Sequence, residues 1–200
     1  MMMAKDVKER INIKGKGWIF SAMDFTDIAP RNVVDQTLGR LSKRGDIRKL
    51  STGLYDVPLI NQKFGILPPN PDRVAEAIAK KFGYQIQVTP TQAAHDLGLS
   101  QQIPAQPVYL TDGLSKVIKV GNQTLRFIRV SHKKMLGVGT KVGIIIQALY
   151  YFGQDKINDT IFIKKICSLL NDQDKKALLV LIPRAPLWMQ YTLKKIVQNV

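Results

Sequence analysis

The chain is poor in the residues that most often carry chemistry. One cysteine, Cys167, stands among 200 residues, which excludes an internal disulfide and a cysteine-cluster metal site. Two histidines, His95 and His132, are too few for a histidine-built metal centre unless carboxylates contribute. HExxH, GxSxG, CxxC and a complete GxxxxGK[ST] are all missing. The nearest approach to a phosphate loop, Gly137-Val138-Gly139-Thr140-Lys141, has its lysine after the threonine and the wrong glycine spacing, so it reads as a turn before a helix. Ser131-His132-Lys133-Lys134 has a Ser-x-x-Lys spacing that is common by chance, and Asp172-x-Asp174 fits a helix N-terminus better than a metal pair. No catalytic residue, metal or cofactor is expected. Long apolar runs are missing too: the longest, Val142 to Phe152, is broken by Gln147 and falls short of the roughly 20 residues of a membrane span. The start becomes charged at Lys5-Asp6 without an apolar signal core, so a soluble, cytoplasmic protein is expected, with no membrane partner.

Acidic residues are scarce as well. Fifteen Asp+Glu face 30 Lys+Arg, a net charge of +15. The excess is spread over the chain: +4 in residues 1–60, +4 in 61–130 and +7 in 131–200. This is not a basic tail on a neutral domain. A polyanion, nucleic acid before an acidic membrane face, is the default partner of such a surface.

The first 58 residues read as one unit. Ala4 to Lys14 is a short helix with Val7, Ile11 and Ile13 inward, and Trp18-Ile19-Phe20 is a short extended run. Ser21-Ala22-Met23-Asp24 has the form of a capping box opening a helix with Met23, Phe25 and Ile28. After Ala29-Pro30 a helix over about Arg31–Arg44 gathers Val34, Leu38 and Leu41 on one stripe, with Asn32, Gln36, Arg40 and Lys43 opposite. Two strands, Asp46–Leu50 and Leu54–Val57, follow around Ser51-Thr52-Gly53. This is the element order of a winged helix-turn-helix.

Residues 59–69 read as a linker ending in Pro68-Pro69-Asn70-Pro71, and 70–200 as a second, α/β domain. Its first helix, Asp72–Phe82, lines up Val74, Ala75, Ile78 and Phe82. Strands are expected at 85–88, 108–111, 116–120 and 124–130. The glycine turns Asp112-Gly113 and Gly121-Asn122 read as hairpins, and helices fill the chain from Thr140 onward. The fold class expected is thus α+β: an N-terminal winged helix-turn-helix, then a mixed α/β domain ending in a helical segment.

In helix-turn-helix proteins the second helix enters the major groove. Asn and Gln pair bidentately with adenine and Arg with guanine, which makes Asn32, Gln36 and Arg40 suitable base readers. Arg31 and Lys43 are placed for phosphates, and Arg48, Lys49, Ser51 and Thr52 for a neighbouring backbone or minor groove. The competing reading is a solvated polar helix face or a protein contact. In the second domain, Lys116, Lys119, Arg126 and Arg129 beside Tyr109 and Phe127 suit single-stranded RNA if the rings are exposed, and a core with wet lysines if they are not.

Several blocks resemble the AbiEi family, the antitoxins of type IV toxin–antitoxin systems. They are Ser21-Ala22-Met23-Asp24-Phe25, Val34-Asp35-Gln36-Thr37-Leu38 with Arg40-Leu41, and Gly53-Leu54-Tyr55-Asp56-Val57-Pro58. Thr91-Gln92-Ala93-Ala94-His95-Asp96-Leu97-Gly98-Leu99, Gln102-Ile103-Pro104 and Tyr109-Leu110-Thr111-Asp112-Gly113 continue the likeness, which covers roughly residues 5–150. It implies a winged helix binding the promoter of the chain's own operon, double-stranded DNA, through Arg31, Asn32, Gln36, Arg40, Lys43 and the wing. It also implies a C-terminal region that counters a nucleotidyltransferase toxin without a stable complex. The toxin's own Gly-Ser and paired-aspartate signature is absent. Two copies are expected on a palindromic operator. The alternatives are a winged-helix transcription factor with no toxin partner, and an RNA-binding module centred on the second domain.

Overall fold

The structure, a computed structural model, describes residues 2–198. It is mixed α and β with a C-terminal helical segment, and it divides into two compact units. One comprises the chain to Tyr84 with Val117–Leu125; the other comprises Gln85–Lys116 and the chain from Arg126 onward.

The first unit runs α1 (Met2–Lys14), β1 (Ile19–Phe20), a 3-10 turn (Ala22–Phe25), α2 (Arg31–Lys43), β2 (Arg48–Ser51), β3 (Leu54–Asp56), β4 (Ile60–Asn61), β5 (Gly65–Ile66) and α3 (Pro71–Phe82). Val7, Ile11, Phe20, Phe25, Val34, Leu38 and Leu41 form its core. Trp18 stacks on Phe20 with centroids 4.5 Å apart, and Phe25 meets Phe20 edge-on at 5.7 Å, the geometry that favours aromatic pairs. Ile13 lies off the Val7–Ile11 stripe and is exposed. The box at Ser21 is real: the Ser21 hydroxyl accepts from the Met23 N–H, and the Asp24 carboxylate accepts from the Ser21 N–H at 2.8 Å. It opens only a single 3-10 turn rather than a full helix, because Pro30 forces a new start four residues after the Thr26 cap. β1, β3 and β2 form an antiparallel sheet in that order, with a register shift between Lys49 and Ser51.

Two expectations change here. The stretch read as a linker holds the β4–β5 hairpin, turned by Asn61, whose side-chain oxygen accepts from the Lys63 and Phe64 N–H groups. The local Asx turn competes with an unstructured linker and prevails. Helix α3, expected to open the second domain, belongs with the first unit. Arg73 donates to the Gly17 carbonyl, Lys80 pairs with Asp24, and Lys81 donates to the Thr52 carbonyl. Asn70 caps α3 by accepting from Asp72 and Arg73, and Gly83 ends it at φ 69°, a conformation that favours glycine. Phe82 turns outward and stacks on Tyr84.

The second unit begins with β6 (Ile86–Val88), α4 (Pro90–Asp96) and β7 (Val108–Thr111). Next along the chain come strands β8 (Lys116–Val120) and β9 (Gln123–Arg129), of which Val117–Leu125 counts with the first unit. The strand order is β6-β7-β9-β8, with β7 parallel to β9. Gly121-Asn122 therefore turns a hairpin, whereas Asp112-Gly113 does not join sheet neighbours. Asp112 instead accepts from the Gln85 N–H, and Thr111 donates to the Gln85 carbonyl, which fastens that turn to the start of β6. Helices α5 (Lys141–Lys156), α6 (Thr160–Leu169), α7 (Asp172–Leu181) and α8 (Leu187–Gln198) enclose Ile145, Ile146, Leu149, Ile166, Leu178, Met189 and Leu193. A Cβ on Gly143 would stand 2.0 Å from the Gly137 oxygen and 2.5 Å from Gln87 Nε2, so only glycine lets the 137–140 turn lie against α5. Thr140 caps that helix by accepting from the Gly143 N–H. Among the described residues no helix is long and apolar enough to cross a membrane.

Candidate nucleic-acid interface

Helix α2 presents one solvent face because its buried face is so strictly spaced. Val34, Leu38 and Leu41 are buried, and Thr37 at the border donates its hydroxyl to the Val33 carbonyl. At about 100° per residue, Asn32, Gln36, Gly39, Arg40 and Lys43 then share a stripe roughly 100° wide on the other side. Asn32, Gln36, Arg40 and Lys43 are all exposed. Gly39 lies on this stripe, and beyond its chain neighbours and its own helix backbone a Cβ there would meet no atom within 4 Å.

The ion pairing of residues 31–57 is selective. Three carboxylates lie in this stretch, and each takes one arginine: Asp35 takes Arg31 at 2.9 Å, Asp46 takes Arg44 at 3.3 Å, and Asp56 takes Arg48 at 2.6 Å. Among the described residues, three cations of this stretch have no carboxylate partner: Arg40, Lys43 and Lys49. The Arg40 Nε–H reaches only its own helix, at 3.4 Å from the Gln36 carbonyl. The pairs at Arg31 and Arg44 are exposed, and such pairs exchange partners at little cost.

Arg48, expected to grip a nucleic-acid backbone, is bonded within the fold. Its guanidinium donates twice to Asp56, at 3.0 and 2.6 Å, and once to the Leu67 carbonyl at 3.1 Å. Asp56 is buried, so this bidentate bond is what makes its charge tolerable inside the sheet. The pair holds Arg48 above its ordinary pKa. Lys49, Ser51 and Thr52 sit on β2 and its turn, with Lys49 and Thr52 exposed and Ser51 half-buried. The Thr52 carbonyl is taken by Lys81. On β3, burial and then the Asp35 carboxylate raise the Tyr55 phenol, so Tyr55 lies within the field of α2.

The other motifs settle into structural places. Tyr109 and Phe127 are both buried, with centroids 5.7 Å apart, so neither ring is exposed for base stacking. Asp174 completes a capping box with Asn171 at the start of α7. Trp188 packs edge-on against Tyr150, while Tyr191 faces outward under Lys195. Among the described residues no group of three or more His, Cys, Asp or Glu could hold a metal ion. The division of the three arginines from the three free cations was not readable beforehand. The only signal for it was the spacing Arg31–Asp35.

The chain matches, over residues 6–178, a family of unknown function designated DUF6088. It belongs to that family, and the match spans both units. No curated protein and no solved structure matches the chain.

Proposed function

We propose that residues 1–58 form a winged-helix module that binds double-stranded DNA, and that the chain represses its own operon as an AbiEi-like antitoxin. In this reading α2 is the recognition helix and the β2–β3 hairpin is the wing. The observation that carries it is the stripe of Asn32, Gln36 and Arg40 beside the carboxylate-free cations Lys43 and Lys49. Two amides and an arginine supply bidentate partners for adenine and guanine, and the lysines supply phosphate contacts. Arg31 adds a phosphate contact by exchanging Asp35 for a phosphate oxygen. Arg48 takes no part in binding and holds the wing through Asp56. The second unit counters a nucleotidyltransferase toxin without a lasting complex, a reading that rests on the resemblance of the sequence blocks above to AbiEi proteins.

The test is a gel shift on the chain's own upstream DNA, against excess random competitor and at two salt concentrations. Binding that survives both supports base readout. Binding that both abolish reduces the net charge of +15 to phosphate affinity and ends the repressor reading. A neighbouring nucleotidyltransferase gene separates the antitoxin from a transcription factor without a toxin partner. Replacing the exposed Asn32, Gln36, Arg40 and Lys43 together by alanine separates both from an RNA-binding module, whose affinity would survive. The buried Tyr109 and Phe127 weigh against that last case.

A further inference from the structure

We infer that the second unit carries a binding site for a small organic anion, one acidic group on an apolar body. The site is a cleft of about 440 Å³ between the 3-10 turn His132–Met135 and the loop joining α7 to α8. That volume lies at the lower end of the range of small-molecule pockets, roughly 300–1,000 Å³. Leu136 and Ala185 form an apolar floor, both nearly inaccessible, and Leu187 stands at the mouth 85% exposed. Lys133 and Arg184 supply the charge, and no carboxylate lines the cleft. Neither cation makes an ion pair or side-chain hydrogen bond among the described residues, although Lys141 at the start of α5 reaches Asp174.

Both walls are fixed before any ligand arrives. On one side the Gln147 side-chain amide donates to the Lys134 carbonyl and pins the turn that presents Lys133. On the other, the Ala185 N–H donates to the Leu181 and Ile182 carbonyls, each at 3.1 Å, and Gln190 donates to the Ala185 carbonyl at 2.9 Å. A pinned loop loses little further freedom on binding, which is the condition for useful affinity in a shallow site. The forked guanidinium of Arg184 suits a carboxylate or phosphate, Lys133 adds a point charge, and a ring or short hydrocarbon covers Leu187.

Titration calorimetry of the full chain with phenyl phosphate, inorganic phosphate and benzyl alcohol tests both halves of the claim. Phenyl phosphate is expected to bind saturably with one site, at least tenfold tighter than either of the others. Replacing Lys133 and Arg184 together by alanine should cost tenfold or more. Leu187→Ser should weaken phenyl phosphate about threefold and leave inorganic phosphate unchanged. All three side chains are exposed, and the double variant Lys164→Ala with Lys194→Ala, which removes the same two charges outside the cleft, serves as control. Absence of saturation, equal affinity for inorganic phosphate, or an equal loss in that control would each overturn the site. A short single-stranded oligonucleotide displacing phenyl phosphate at a tenfold lower concentration would overturn it too, assigning the cleft to nucleic acid.

Discussion

Gly39 offers the sharpest test of the α2 face, because it pulls stability and binding in opposite directions. It lies in the interior of a 13-residue helix, where glycine costs about 0.5–1 kcal/mol relative to alanine through lost backbone freedom. A Cβ at this position meets nothing within 4 Å, so no clash within the chain requires the glycine. Gly39→Ala should therefore stabilise the protein by about 0.5–1 kcal/mol, a rise of roughly 2–4 °C per kcal/mol in Tm for a chain of this length. The methyl group, however, would project along this face at a level between Gln36 and Lys43. If the helix backbone comes close to a groove wall there, the operator affinity should fall tenfold or more, about 1.4 kcal/mol. Thermal melting followed by circular dichroism reads the first quantity, and fluorescence anisotropy on upstream DNA reads the second. A more stable variant with unchanged operator affinity would remove this face from the interface. A less stable one would refute the helix-propensity argument itself.

Four further outcomes are expected. Arg40→Ala should cost about 1–3 kcal/mol of operator binding and relax preference at one base position, whereas Lys43→Ala should weaken all sequences alike and flatten the salt dependence; competitive gel shifts separate the two. Arg48→Ala should leave a buried carboxylate at Asp56 unpaired, and with Arg48 itself partly exposed the loss should be on the order of 2–3 kcal/mol, somewhat below that of a fully buried pair; urea denaturation measures it, and a stability within 0.5 kcal/mol of the native chain would contradict the assignment. Gly143→Ala should destabilise by about 3 kcal/mol or more, since its methyl would overlap the Gly137 oxygen, and soluble, natively stable protein would refute that packing. Asp27, bonded twice by Arg10 at 2.7 and 2.6 Å, is held at about 2 instead of 3.8. A lowered carboxylate stabilises the fold above its unfolded pKa, so its contribution should fade as pH falls from about 4 through 2. A carboxyl-carbon NMR titration placing Asp27 near 4 would show that the ion pair does not form in solution.

Much of the fold was legible because its signals are local. The α2 stripe follows from spacing alone, and the caps at Ser21, Asn70 and Asn171 follow from single side chains beside a helix start. The departures have non-local causes. The parallel partnership of β7 and β9 cannot be read from Asp112-Gly113, since a glycine turn signals a reversal and not which strand lies alongside. Likewise Phe82 sits on the apolar stripe of α3 by periodicity, yet as the last residue of the helix, just before the Gly83 cap, it is exposed.

The candidate interface was legible as residue types and not as available charge. Composition reports six cations in residues 31–57 and cannot say which of them water or a phosphate would meet. Only the folded register does that. Arg48 lies opposite Asp56 across the β2–β3 ladder, and that juxtaposition commits it to the sheet. Asp46 takes Arg44 at the end of α2, and Asp35 takes Arg31 one turn along the same helix. Subtracting the pairs leaves Arg40 and Lys43 on the stripe and Lys49 on the hairpin. A charge excess spread over the whole sequence thus resolves into a small set of side chains, two of them on the solvent stripe that also holds the one glycine of α2. Base readout requires that convergence, whereas nonspecific phosphate affinity would be satisfied by any distribution of the same total charge.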